Sequence, residues 1–348
     1  MPGFESIIDQ DRPIRILTTF LQKGTIAHAL LFSGTEGAGK ERAAIAFAMA
    51  CNCTGDRSPS ETESMDSRHP DQPGAAFQSL PLAPCGVCKS CRKIDAGSHP
   101  DIIRVKPSGS FIKIDQIRSL CQTLAMKPYE ARIRVVIISD AQAMNLAAGN
   151  ALLKALEEPP ARTILILVAA HPSDLMPTIV SRCQHIRFNP LTRKMLKSVL
   201  IREHGLDVGD AAVITAMANG SLSRALHMYR TNWINRRSWL ISELNSLSNG
   251  PINRLLAFSD QLSKNKDDLP DALEVIKSWL RDLVVAKLYP DKILNQDLAP
   301  KLRQASQQMS QSSLFAKLEI IQSTQRSLQA GTNLRLAMEA MVLKLSRV

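Results

Sequence analysis

No stretch of this 348-residue chain is apolar for long enough to cross a membrane. The longest strongly apolar runs, Val135–Ile138 and Ile164–Ala170, have the length of strands, far short of the roughly 20 residues a spanning helix needs. The first residues, MPGFESIIDQDRP, lack the apolar core of a signal peptide. Both absences lead us to expect a cytoplasmic protein with no membrane partner. Cysteine is scarce, with seven residues, and in that compartment these are expected as metal ligands or buried thiols, not disulfides. The composition, 45% hydrophobic and 22% charged, excludes a disordered or fibrous chain. The length accommodates two or three domains, each with its own core. A net charge of +11 points to an anionic partner, nucleic acid or nucleotide, against the plainer alternative of a solvated basic surface.

The stretch that organises the chain is His28–Lys40, HALLFSGTEGAGK. A short apolar run passes into a glycine-rich turn and then into the helix-compatible segment Ala43–Ala50, the strand–loop–helix order of a phosphate-binding loop. Gly34, Gly37 and Gly39 let the chain curl so that successive N–H groups face one concavity. The following helix start adds its positive dipole end, and Lys40 is placed to reach terminal phosphates. One group is missing. The residue after the lysine should carry a hydroxyl for Mg²⁺, and here it is Glu41, so ATP with Mg²⁺ is a doubtful ligand.

Along the chain, Phe4–Gly24 reads as helical. Residues Thr54–Pro84 are rich in Ser, Pro, Asp and Gly and read as a mobile surface insertion. At its far end stands Cys85-x2-Cys88-x2-Cys91, with Cys51-Asn52-Cys53 upstream. Three thiolates at this spacing fit one Zn²⁺ tetrahedron, with either upstream cysteine as the fourth ligand. Four cysteines leave no open position, so the zinc is expected to be structural.

Asp101–Val105 reads as a strand, Ile112–Met126 as a helix, and Arg132–Ser139 as a buried strand ending in Asp140, where a Mg²⁺-holding carboxylate of a phosphoryl-transfer site stands. Active hydrolases usually place an Asp-Glu pair there, whereas this chain has Ser139-Asp140-Ala141. Helix Asn145–Glu158, stopped by Pro159-Pro160, and strand Thr163–Ala170 follow. Alternating buried strands and helices over the first 190 residues predict a parallel sheet covered on both faces. Beyond Pro190 the pattern is helical only, with Arg193–His204, Asp210–Ala218, Leu255–Leu262, Ala272–Leu288, Leu314–Leu328 and Asn333–Leu345 as helices and a break at Asn249-Gly250-Pro251. Several of these pair an apolar face with basic residues such as Lys277, Arg281, Lys287, Arg335 and Lys344.

HALLFSG-x4-GK, PCGVCKSC, SHPD, NALLKALEEPP and PTIVSRCQHIRF, in this order over residues 4–190, resemble the bacterial clamp-loader branch of the AAA+ family, the subunits of DNA polymerase III that include gamma/tau. The resemblance implies an α/β AAA+ P-loop domain over 1–190. Its inserted zinc module would cover about 53–95, an all-α lid 191–248 and an all-α collar domain 249–348. It also selects Cys53, thirteen residues after Lys40, as the first zinc ligand beside Cys85, Cys88 and Cys91. The P-loop residues Gly34, Gly37, Gly39 and Lys40, with Asp140, become a nucleotide site that has degenerated. The sensor strand ends in Ala169-Ala170 without a hydroxyl, and Gly220-Ser221-Leu222-Ser223 has Ser223 where the motors carry a phosphate-contacting arginine.

In contrast, Ser181-Arg182-Cys183 is intact, and the resemblance implies that Arg182 acts as an arginine finger on ATP bound by a neighbouring gamma/tau subunit. The chain is thus expected to be the non-hydrolysing stator of the loader, with no ATPase or polymerase activity of its own. Its expected partners are gamma/tau and delta directly, and the sliding clamp and primer–template DNA through the complex. Arg104, Lys106, Lys113, Arg118, Lys127 and Arg134 are candidates for phosphate attraction. Two alternatives remain at this point: an active ATPase motor of the gamma/tau kind, and a zinc-dependent nucleic-acid-binding protein with a relic P-loop.

Overall fold

The computed structural model describes residues 3–55, 80–246, 251–264 and 268–347. Of the expected insertion, residues 56–79 lie outside the described residues, as does most of the break before Pro251. The chain divides into two compact units, Met1–Leu196 with Asn219–Arg224, and Lys197–Ala218 with Ala225–Val348.

The first unit contains α1 (Asp11–Lys23), β1 (Ala29–Ser33), α2 (Lys40–Asn52), α3 (Lys89–Asp95), β2 (Ile102–Val105), α4 (Ile114–Leu124), β3 (Arg134–Ile138), α5 (Leu146–Glu157), β4 (Thr163–Ala169), α6 (Pro177–Val180) and β5 (Gln184–Arg187). The five strands form one sheet in the order β2-β3-β4-β1-β5, with every pairing parallel. Leu31 of β1 stands between Leu167 of β4 and His185 of β5, which fixes the register at the mouth of the glycine-rich loop. Each residue of β1, β3 and β4 is buried, which is why these strands read as unbroken apolar runs instead of alternating ones. On one sheet face Leu31, Val136, Ile138, Leu165 and Leu167 pack with Ile117, Leu120 and Leu124 of α4 and Leu152 and Leu156 of α5. Full burial of each such side chain contributes about 1.5–3 kcal/mol.

Local chemistry sets the helix ends. The Asn145 side chain accepts from the Ala148 N–H at 2.8 Å and caps α5. Pro159 then ends it, because the residue before a proline is driven out of helical conformation. The expected single helix Phe4–Gly24 is instead a 3₁₀ turn at Phe4–Ser6 followed by α1, with Asp9 at φ 59° between them.

A buried ion pair explains SHPD. Asp101 and Arg134, 2% and 3% exposed, meet at 3.4 Å. Asp101 accepts the backbone N–H groups of Tyr129, Glu130 and Ala131 at 2.8–2.9 Å. Arg134 donates to the carbonyls of Thr123, Met126 and Lys127 at 2.7–3.0 Å. Between them they satisfy the turn leading into β3. Arg134 is therefore a structural residue, and it drops out of the set of side chains suited to phosphate attraction.

The second unit is helical: the greater part of α7 (Arg193–His204) and α9 (Leu222–Arg230), with α8 (Val208–Met217), α10 (Trp233–Ser246), α11 (Ile252–Lys264), α12 (Leu269–Leu288), α13 (Ala299–Gln308), α14 (Gln311–Gln329) and α15 (Leu334–Arg347). Buried Arg237 of α10 donates to Asn295 Oδ1 at 2.7 Å and forms a bidentate pair with Asp297, while Asn295 donates to buried Asp282 of α12. That network fastens the connection between α12 and α13 to α10. The basic residues expected on helix faces are largely engaged locally. Lys277 pairs with Glu274, Arg281 with Asp282 and Arg335 with Glu339, and Lys287 donates to the Met309 carbonyl.

Candidate phosphate-loop, arginine and cysteine sites

The glycine-rich loop is built by the end of β1 and the start of α2. Gly34, at φ 136°, donates its N–H to the Ala170 carbonyl at 3.0 Å, and a Cβ there would lie 2.1 Å from the Phe188 carbonyl oxygen. Only glycine fits that approach. Gly39, also left-handed, caps α2 and accepts from the Ala43 N–H at 2.9 Å. The curl expected of a phosphate-binding loop is therefore formed.

What fills the loop is its own chain. The Lys40 ammonium, 7% exposed, donates to the carbonyls of Gly34 and, at 2.8 Å, of Thr35. Burial pulls its pKa below the ordinary lysine value of 10.5, against the opposing charges of Glu36 and Asp140. Glu41, in the place of the metal-binding hydroxyl, forms an ion pair with Lys106 beyond β2 at 2.9 Å. Asp140 is exposed, with φ 50°, and takes a 3.4 Å hydrogen bond from Gln142. The backbone carbonyl of Ala170, where a sensor hydroxyl is lacking, is spent on Gly34.

The sequence gives no hint of the contact that covers Gly37. A Cβ on this residue would lie 2.3 Å from Ser223 Oγ and 2.4 Å from Ser221 Oγ, and the Leu222 N–H donates to the Gly37 carbonyl at 3.3 Å. Gly220, at φ 77°, makes the tight turn beneath, and its carbonyl accepts from Leu191 at 2.9 Å. The segment Gly220–Ser223 is thereby seated directly on the loop's apex. Gly34, Gly37, Gly39, Lys40 and, through charge, Asp140 are brought together. Arg182 makes its contacts elsewhere.

Arg182 follows α6. Its Nη1 donates to the Thr178 carbonyl at 2.9 Å and its Nη2 to Glu157 Oε1, at the end of α5, at 2.7 Å. The Arg182 side chain is 36% exposed and that of Glu157 49%.

The four expected thiols converge: Cys53, Cys85, Cys88 and Cys91 have all Sγ atoms within 4.8 Å of one another, and Cys85 and Cys91 are 4.0 Å apart. A tetrahedral Zn²⁺ bound by thiolates at about 2.3 Å requires S···S separations of roughly 3.8 Å, so the four residues fit such an ion. Backbone N–H groups support the sulfurs in sequence: Cys85 donates to Cys53 Sγ and Cys88 to Cys85 Sγ, both at 3.3 Å, and Cys91 to Cys88 Sγ at 3.4 Å. At Cys88 burial pushes the thiol pKa up, but hydrogen bonds from Cys91 and Thr54 outweigh it and bring the value to about 6. Cys51 is buried in α2, outside the cluster, and burial raises its thiol pKa. No helix among the described residues is long and apolar enough to cross a membrane.

The family profile described as DNA polymerase III, delta subunit, matches residues 9–72 and 75–192, and that described as DNA polymerase III, delta subunit, C terminal, matches residues 231–347. DNA polymerase III subunit delta′ of Bacillus subtilis is 29% identical over 341 residues, covering 97% of this chain and 96% of that protein. DNA polymerase III subunit tau of the same organism is 26% identical over 367 residues, covering 98% of this chain but 61% of that longer protein. Among solved structures, a DNA polymerase III gamma subunit-related protein from Thermotoga maritima aligns with 96% of this chain and 99% of its own at 17% identity and a TM-score of 0.38. The chain belongs to the DNA polymerase III, delta subunit family, with delta′ and tau among its relatives.

Proposed function

We propose that this chain is the delta′-type stator of a DNA polymerase III clamp loader, an AAA+ subunit that hydrolyses nothing itself and completes a neighbour's ATP site with Arg182. The observation that carries the reading is a contrast. Its own phosphate loop is covered by Ser221–Ser223 and has its lysine turned onto loop carbonyls, while the Arg182 guanidinium remains within reach of solvent. Phosphoryl transfer rests almost wholly on positioning and charge stabilisation. A loop with Glu41 ion-paired in the metal-ligand position and an alanine at the sensor offers neither. A guanidinium stays charged and presents a planar fork to phosphate oxygens, which suits it to act across an interface.

In this reading residues 191–248 act as the lid and 249–348 as the collar that joins gamma/tau and delta. The sliding clamp and primer–template DNA are reached through the assembled ring. Cys53, Cys85, Cys88 and Cys91 hold a structural Zn²⁺, which cross-links the two ends of the 54–84 insertion. The test is reconstitution with gamma/tau and delta: a stable complex, whose ATPase falls when Arg182→Ala replaces the wild-type chain, is expected. Mg²⁺-dependent ATP hydrolysis by the isolated chain would instead support the motor alternative.

A further inference from the structure

The Arg182–Glu157 pair stands apart from the ion pairs that build the fold. Arg134–Asp101 is deeply buried, each partner bracketed by backbone hydrogen bonds. Arg182–Glu157, in contrast, is half exposed and joins the ends of two separate helices, α5 and α6, twenty-five residues apart. Exposed pairs contribute little to stability. This one nevertheless fixes the direction of the guanidinium, because Nη2 is held by the carboxylate while Nη1 is held by the Thr178 carbonyl. The two helices pack closely beneath it: a Cβ on Gly149 of α5 would lie 2.6 Å from Sδ of Met176, the residue that opens α6, and 3.6 Å from Ile179 Cδ1.

We propose that Glu157 is the positioning residue of Arg182, holding the guanidinium in a parked orientation in the unengaged chain and yielding it to the polyphosphate of a nucleoside triphosphate on the adjoining subunit. The inference rests on the finger assignment made above. Its physical basis is competition between two anions for one fork. The parked acceptor is a single carboxylate charge, well hydrated and screened by salt. The terminal phosphate of a bound nucleotide carries more charge at an interface from which water is excluded, where charge-assisted bidentate bonds are stronger. Parking keeps a solvent-exposed arginine oriented before assembly, and the weakness of the exposed pair limits the penalty for release to about fivefold in an equilibrium constant.

The experiment uses the full chain reconstituted with gamma/tau and delta and follows steady-state ATP hydrolysis. Glu157→Gln, which removes the charge but keeps the shape, is expected to lower the KM for ATP about two- to fivefold with kcat unchanged. Glu157→Ala should act in the same direction. In an Arg182→Ala background Glu157→Gln should have no further effect. If Arg182→Ala depresses ATPase while Glu157→Gln leaves KM unchanged or raises it, the parking role is overturned and the finger stands. If Arg182→Ala changes nothing, the finger assignment fails and the parking role with it. If both Glu157 variants abolish co-elution with the other subunits, Glu157 is a structural residue and the proposal is rejected.

Discussion

The Nζ of Lys40 donates to the carbonyl of Thr35 at 2.8 Å, so the lysine of the phosphate loop is bound by the loop that should present it. A lysine held in this way is part of the local fold. Lys40→Ala is expected to lower the stability of the isolated chain by about 1 kcal/mol, the penalty for leaving two part-buried carbonyls without their donor. It should leave the ATPase of a reconstituted complex unaltered. Thermal melts and turnover assays on the same preparations check both halves, and a wild-type chain whose melting temperature rises with Mg²⁺-ATP would contradict them.

Arg182→Ala should leave the isolated chain folded, since the side chain is partly exposed and its ion pair is a surface one. In the reconstituted complex the neighbouring ATP site that Arg182 is proposed to complete is expected to slow by about 10³-fold or more. Total turnover falls by the share that site carries. Arg182→Lys should recover little, because an ammonium does not reproduce the fork. Single-turnover ATPase measurements separate this from weakened assembly.

The purified chain should contain about one zinc ion, bound by Cys53, Cys85, Cys88 and Cys91. Elemental analysis checks this directly. Cobalt substitution should give the intense visible band of a tetrahedral thiolate site. Cys85→Ser and Cys88→Ser are expected to lose the metal, whereas Cys51→Ser, outside the cluster, should retain it.

Asp101→Ala should cost about 3–5 kcal/mol at neutral pH, because it leaves Arg134 charged and buried without its partner. Asp101 also predicts an acid limb. Burial pushes its carboxyl pKa up, but the N–H groups of Glu130, Tyr129 and Ala131 and the Arg134 charge outweigh this and hold it below the ordinary 3.8. With the folded value below the unfolded one, its contribution is complete above about pH 4 and disappears as pH falls through the depressed folded value. Urea titrations should therefore show the difference between wild type and Asp101→Asn shrinking below pH 4.

The parts of this structure that the sequence discloses are those where the chain is buried on both sides or where chemistry is local. β1, β3 and β4 are continuous apolar runs because helices cover both faces of the sheet, and the four-cysteine cluster follows from spacing alone up to the choice between Cys51 and Cys53. β5 was hidden for the opposite reason. At the edge of the sheet only Ile186 of Gln184–Arg187 is buried, leaving too little pattern to read. Helices α10 and α13 are amphipathic yet interrupted by polar residues that the fold buries, such as Arg237 and Ser306. Arg134 reads in the sequence as a candidate for phosphate attraction because no local pattern announces an aspartate thirty-three residues away as its partner. The seating of Ser221 and Ser223 on Gly37 joins positions more than 180 residues apart and is visible only in three dimensions.

Cys53 and Cys85 share one cluster, so two positions thirty-two residues apart in sequence are held at one point beside α3. Loss of any one of the four thiols would therefore loosen the tie between the end of α2 and the start of α3 at a single stroke.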